Sequence, residues 1–232
     1  MKRAPKRALT DAELEGMRSQ CASTRDAAVF EVLRVTGCRE HEMLALRFKD
    51  VDFETRRVWF HKTKARVRWN HKVQDGKRIR THAESEIEPR WSFLSDSQSM
   101  TAMRIYVAER TKEEGRDFTD TLKVFKMTSR TVRNLIKSLA VRAKLHDAED
   151  VSPHWLRHTR GTKMLSKGVP IPYIKETMGW SKKSRTFEET YEHSDVDMIQ
   201  NTIEDLMGTK EKEKPKDAEK DNVAEDAKDK EE

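Results

Sequence analysis

The chain has 232 residues, 38% of them charged, with a formal net charge of +6 and a mean hydropathy of −0.92. That is enough chain for one hydrophobic core with tails. It contains no apolar run of membrane-spanning length, and no apolar stretch follows the basic start MKRAPKRALT, which excludes a signal peptide and points to a soluble, cytoplasmic protein.

Met1 to Ala8 reads as a basic arm, disordered alone and able to lie on phosphates. Thr10 and Glu13 form a capping box for a short helix with Leu14 and Met17 inward. A second helix is predicted from Thr24 to Thr36, with Ala27, Val29, Phe30 and Leu33 apolar and Gly37 as its stop. Arg39 to Leu46 is helical in composition, with Met43, Leu44 and Leu46 as core candidates. From Val51 the period changes to strand, turn, strand, through Val51-Asp52-Phe53 and Val58-Trp59-Phe60. The cation-dense stretch HKTKARVRWNHKVQDGKRIRTH then continues one small antiparallel sheet, turning at Asp75-Gly76. Pro89 and the Glu84 to Glu88 region lead away from it.

Helices resume from Ser99 or Thr101 to Glu114, on Met100, Met103, Tyr106 and Val107, and from Ser129 to Lys144, on Val132, Leu135, Ile136 and Leu139. Ser152 as N-cap and Pro153 at the first helical position start another, which stops near Gly168. A short helix opened by Pro172 and a last amphipathic one from Asp195 to Leu206 complete the body. The expected organisation is an arm over 1–9, one mostly helical domain with a small basic sheet over 10–207, and a disordered charged tail over 208–232.

The tail from Thr209 holds seven Lys and ten Asp or Glu, so the rest of the chain carries 40 basic and 31 acidic residues, a net of +9. A basic body without a membrane-surface helix favours a polyanion as partner. Cys21 and Cys38 read as ordinary helix residues, since Cys38-x-x-His41 has no second ligand pair; no metal or cofactor is expected. His154, Arg157 and His158 share one helical face near a helix N-terminus, where free N–H groups, the helix dipole and a permanently charged guanidinium suit a phosphate. Taken alone, each has a structural alternative, and Arg39 could be a helix-surface ion pair with Glu42.

Three stretches together resemble the catalytic domain of the tyrosine recombinases, the phage-type integrase and Xer group. Thr36-Gly37-Cys38-Arg39-Glu40-His41-Glu42-Met43-Leu44 is similar to the first arginine box, His154-Trp155-Leu156-Arg157-His158-Thr159 to the second, and Met178-Gly179-Trp180-Ser181 with Tyr191-Glu192-His193 to the closing motif. The resemblance implies a mainly α fold with a small antiparallel β-sheet, and a site-specific DNA recombinase or integrase working through a 3′-phosphotyrosine. It implies Arg39 and Arg157 as the clamp on the scissile phosphate, His154 as a proton-transfer group, Trp180 as a hydrogen-bond donor, Tyr191 as nucleophile, Lys62 as the acid on the 5′ oxygen and Glu42 as support for Arg39. Lys64 remains open as the acid in place of Lys62. Such chemistry asks for these residue types: two guanidiniums neutralise the non-bridging oxygens while the phenol loses a proton and the leaving alkoxide gains one.

Of the three tyrosines, Tyr106 and Tyr173 read as packed, which leaves Tyr191 among polar neighbours as the exposed one. The interval of eleven residues from Trp180 to Tyr191, Trp where many members have His, and the long segment from Val67 to Glu88 depart from the family pattern. Double-stranded DNA is the expected partner, through Lys64, Arg66, Arg68, Lys77, Arg78 and Arg80 and a face with Lys137, Arg142 and Lys144. Self-association on DNA through the last helix, association with the nucleoid and an archaeal mobile element as source also follow from the resemblance. A type IB topoisomerase and a non-catalytic DNA-binding protein are the alternatives.

Overall fold

The computed structural model describes residues 7–61, 68–74, 77–83 and 89–180, the strands over 68–74 and 77–83 as backbone. The last predicted helix and the tail lie outside the described residues. Helix α1 (Asp11–Ser19) starts on the expected capping box, Glu13 N–H donating to Thr10 Oγ1 at 3.2 Å and Thr10 N–H to Glu13 Oε2 at 2.8 Å. Helix α2 (Thr24–Thr36) is capped by Ser23, whose Oγ accepts from Asp26 N–H. It ends on Gly37, whose φ of 59° closes the helix in the left-handed conformation. Nine of its thirteen residues are buried, which suits a helix apolar nearly all round to the centre of a domain. It packs against α3 (Glu40–Ala45), α4 (Ser97–Glu114), α5 (Ser129–Arg142), α6 (Pro153–Ser166) and the sheet.

Strands β1 (Val51–Asp52), β2 (Arg57–Phe60) and β5 (Arg90–Phe93) form an antiparallel sheet in the order β1-β2-β5, with Val51 opposite Val58 and Trp59 opposite Trp91. Strands β3 (Arg68–Gln74) and β4 (Lys77–Ala83) are a separate two-stranded hairpin, Gln74 opposite Lys77 on either side of Asp75-Gly76. The sequence pattern joined everything into one sheet and missed β5. The reason is physical: in β5 the polar Arg90 and Ser92 point inward and are buried, while Trp91 and Phe93 point outward, each 43% exposed. Its apolar alternation is therefore inverted with respect to the core.

Helix α4 starts two residues earlier than expected because Asp96 caps it, its Oδ1 accepting from Ser99 N–H. Buried Glu31 binds Arg18 and Arg34, and Arg34 reaches Asp96, which ties α1 and α2 to the start of α4. Tyr106 is in the core as read, its hydroxyl donating to Val124 O at 3.2 Å and its ring stacked on Phe125. Tyr173, in α7 (Ile171–Met178), is not packed as the sequence suggests: it is 62% exposed, while Tyr191 lies outside the described residues. Its helix buries Ile174 and Met178, a stripe that leaves position 173 outside. Cys21 and Cys38 sit in connections rather than helices, and Cys38 is a buried thiol pushed up to about 12 by desolvation first and then by the charge of Glu42.

Two residues of the expected arm, Arg7 and Leu9, are bound to the helical body. Arg7 pairs with Glu13 and Asp147, and Leu9 is buried with its N–H on Thr159 Oγ1 at 3.0 Å. Two carboxylates of the same chain satisfy Arg7, where composition alone left it for phosphates. Among the described residues, no helix is long and apolar enough to cross a membrane.

Candidate active site

Helix α6 carries Arg157 inward and leaves His154, in its first turn, exposed. Arg157 is 2% exposed; its Nη1 donates to Gly37 O at 2.5 Å and its guanidinium lies 4.9 Å from the centre of the Trp180 ring. Its Nη2 is buried and has no hydrogen-bond partner among the described residues. Desolvation, and then the like charge of Arg39, push this guanidinium down to about 9, so it remains a cation at neutral pH.

Arg39 stands at the N-cap of α3, and the ion pair with Glu42 weighed from sequence is present, Nη1 to Oε1 at 3.0 Å. The same Nη1 donates to Gly179 O at 3.2 Å, and Arg39 N–H donates to Glu42 Oε2 at 2.8 Å. Glu42 therefore has two tasks, capping the helix start and orienting the arginine before it. Arg90, which sequence reasoning missed, completes the group. Its forked guanidinium binds both oxygens of Glu42, at 3.0 and 2.7 Å, its Nε donates to Thr177 O at 3.1 Å, and it lies over the Phe60 ring at 4.9 Å. Desolvation alone would raise the Glu42 carboxyl, but the hydrogen bonds and charge of Arg90, with Arg39, hold it at about 2.

Both clamp candidates are thus held by backbone carbonyls at helix C-termini, Gly37 after α2 and Gly179 after α7, where the dipole is negative. These two positions require glycine. Their φ values are 59° and 68°, and a Cβ would meet Met178 Cε at 2.7 Å at position 37 and Arg90 Cζ at 2.5 Å at position 179. No side-chain motif announces a carbonyl acceptor: Gly37 reads as a helix stop within the first arginine box and Gly179 as part of the closing motif, neither as a partner of an arginine. For Arg90 the sequence carried no signal; its pairing opposite Phe60, seen in the structure, places it on the core face.

Of the three buried or half-buried guanidiniums, Arg39 and Arg90 pair with Glu42, while Arg157 feels that carboxylate only at a distance and bonds the Gly37 carbonyl. Such a set has positive charge left over, and it also has N–H groups left over, since Arg39 bonds within the described residues only through Nη1 and its backbone N–H. An oxyanion can accept from both arginines at once. The structure brings together Arg39, Glu42, Arg157 and Trp180. Lys62, Lys64, Arg66 and Tyr191 lie outside the described residues, while Arg68 is on β3 and Lys77, Arg78 and Arg80 are on β4. On the other candidate DNA face Lys137 is paired with Glu149.

A family model described as the phage integrase family matches residues 7–198, an interval that includes both arginine boxes, Trp180 and Tyr191. The chain belongs to the phage integrase family. Tyrosine recombinase XerA of Saccharolobus solfataricus is 23% identical over 215 residues, 93% of this chain and 62% of the relative. Tyrosine recombinase XerC of Bacillus subtilis is 28% identical over 186 residues, 79% of this chain and 54% of the relative. Among solved structures, XerA recombinase superposes with a TM-score of 0.64 at 20% identity, covering 87% of this chain and 65% of that one. The Tn1549 transposon integrase in complex with transposon right end DNA gives 0.62 at 21% identity, covering 89% and 68%. This phage integrase family member spans 62% and 54% of the length of the two curated relatives, and its mainly helical fold with a small antiparallel sheet is shared with those structures.

Proposed function

We propose that residues 10–207 are the catalytic domain of a site-specific DNA recombinase that cleaves and rejoins one strand at a time through a 3′-phosphotyrosine. The observation that carries this reading is Arg157, a buried cation with one guanidinium nitrogen unpartnered among the described residues and Arg39 beside it, in a chain of the phage integrase family. Two fixed guanidiniums suit the two non-bridging oxygens of a phosphodiester, whose charge grows in the transition state. In this reading the Tyr191 phenol attacks phosphorus, its proton passing to His154, and a P–O bond to tyrosine forms as the bond to the 5′ oxygen breaks. Lys62 gives the leaving oxygen its proton, and Lys64 is the alternative donor. Trp180 closes the site beside Arg157. The phosphate ester is conserved in the phosphotyrosine, so rejoining by a 5′-hydroxyl needs no nucleotide hydrolysis.

Double-stranded DNA is the proposed substrate, with Arg68, Lys77, Arg78 and Arg80 of the β3–β4 hairpin, and Lys64 and Arg66 before it, contacting phosphates. Affinity should then fall steeply with salt. Assembly on DNA through the segment near 195–206 belongs to the same reading, and the XerH recombinase, similar in fold at a TM-score of 0.60, was solved bound to a palindromic difH substrate in a post-cleavage complex. The test is incubation with nicked suicide duplexes in chelator, with Tyr191→Phe alongside. A covalent protein–DNA adduct that disappears in the Phe variant is the expected result; a bound substrate without an adduct would overturn the strand-cleavage reading.

A further inference from the structure

The outer face of the three-stranded sheet takes no part in the arginine site. Its inner face supplies Phe60 and Arg90 to that site; the outer face presents Trp59 and Trp91 as one cross-strand pair and Arg57 and Phe93 as the next. The two indoles are in contact, centroids 4.6 Å apart, and the His61 ring stands edge-on to Trp59, its Nε2 fixed 2.6 Å from buried Asp50. Trp91 and Phe93 are each 43% exposed and Arg57 is exposed. An aromatic strip of this size on a surface calls for a partner.

Three observations indicate what that partner is. First, aromatics on adjacent strands of an open sheet face are a physical basis for stacking bases, and sequence-tolerant, because every base has a π-face. Second, the two aromatic rungs are two residues apart, about 7 Å along the strands, twice the roughly 3.4 Å per base of a stacked duplex strand. Neighbouring bases can reach successive rungs only when the strand is unpaired and extended. Third, the charge is complementary to a phosphate backbone. The segment joining β2 to β5, residues 61–89, holds eight Lys or Arg against four Asp or Glu. Asp52, opposite Arg57, is committed to its own turn, accepting from Glu54 N–H, Thr55 N–H and Thr55 Oγ1.

We infer that the outer face of the β1-β2-β5 sheet is a stacking surface for unpaired DNA bases, with Trp91 and Phe93 as its open platforms, the Trp59 ring backing Trp91, and Arg57 beside them for phosphate. This goes beyond strand cleavage at the arginine site, and it neither requires nor alters that chemistry.

The test is fluorescence anisotropy with the full chain and a labelled oligothymidylate, beside a duplex of equal length, for wild type, Trp91→Ala, Trp91→Phe and Phe93→Ala. Trp91→Ala and Phe93→Ala should each weaken oligothymidylate binding by roughly tenfold or more. Duplex affinity should stay within about twofold, and Trp91→Phe should retain most of the single-strand affinity because it keeps a ring. If Trp91→Ala lacks a native thermal transition, Phe93→Ala carries the comparison. Wild type without affinity for oligothymidylate, or alanine variants that bind it as wild type does, would overturn the inference. So would equal weakening toward duplex, or a shift in sedimentation from associated to monomeric chain with single-strand binding unchanged, which would make a second copy the occupant.

Discussion

Replacing Arg90 by Met keeps the aliphatic stem over Phe60 and removes the fork that holds Glu42. Glu42 is 2% exposed and would be left with Arg39 as its one guanidinium partner among the described residues. Breaking a buried pair from one side costs about 3–5 kcal/mol, and urea unfolding at neutral pH should show a loss in that range. The pH dependence gives a second reading of the same contact. In wild type the carboxyl is held at about 2, below its ordinary 4.5, so its contribution is complete above 4.5 and is lost as pH falls toward 2. That shift corresponds to roughly 3 kcal/mol at 1.36 kcal/mol per pKa unit. Without Arg90 the desolvation of Glu42 is opposed by Arg39 alone, the carboxyl rises, and acid unfolding moves to higher pH. Combining Arg90→Met with Glu42→Gln should cost less than the sum of the singles, because the double variant buries no charge in need of Arg90. A loss below about 1 kcal/mol, or strictly additive singles, would refute the claim that this fork holds the site.

Gly179→Ala should destabilise by more than about 1 kcal/mol and displace Arg90, since its φ of 68° is strained for a side chain and the new methyl would meet the guanidinium; a thermal melt and a crystal structure would show both. Arg157→Lys should lower strand cleavage by about a hundredfold or more with duplex affinity little changed, because one ammonium cannot bind the Gly37 carbonyl and an oxyanion in forked geometry; suicide-substrate kinetics and anisotropy separate the two. Tyr106→Phe should cost about 1 kcal/mol in urea unfolding by leaving Val124 O unpaired, and leave cleavage unchanged.

The helices were legible because their ends carry local chemistry: Thr10 with Glu13, Ser23 with Gly37 and Ser152 with Pro153 mark boundaries that are found within a residue or two. Local chemistry is also why β5 was not. A strand that buries Arg90 and exposes Trp91 violates the apolar alternation on which sequence reading depends, and only its pairing to β2 explains it. Tyr173 failed similarly, since an aromatic beside two isoleucines looks internal until the stripe of its short helix is known. At the site, the arginine boxes and Glu42 were visible as motifs. What holds them was not: Gly37 and Gly179 lie inside the motifs, but a motif does not say what a backbone carbonyl binds, Arg90 lies in no motif, and these contacts span 48 to 140 residues.

Anchoring Arg157 to the end of α2 also bears on how such a domain can change over time. Because nine of the thirteen residues of α2 are buried, the Arg157 charge is referenced to the interior of the domain, not to the hairpin or loops that the proposed reading sets against DNA. Substitutions that retarget the periphery then leave the electrostatic centre where it was. A lineage built this way can drift in what it recognises without passing through forms that have lost their chemistry.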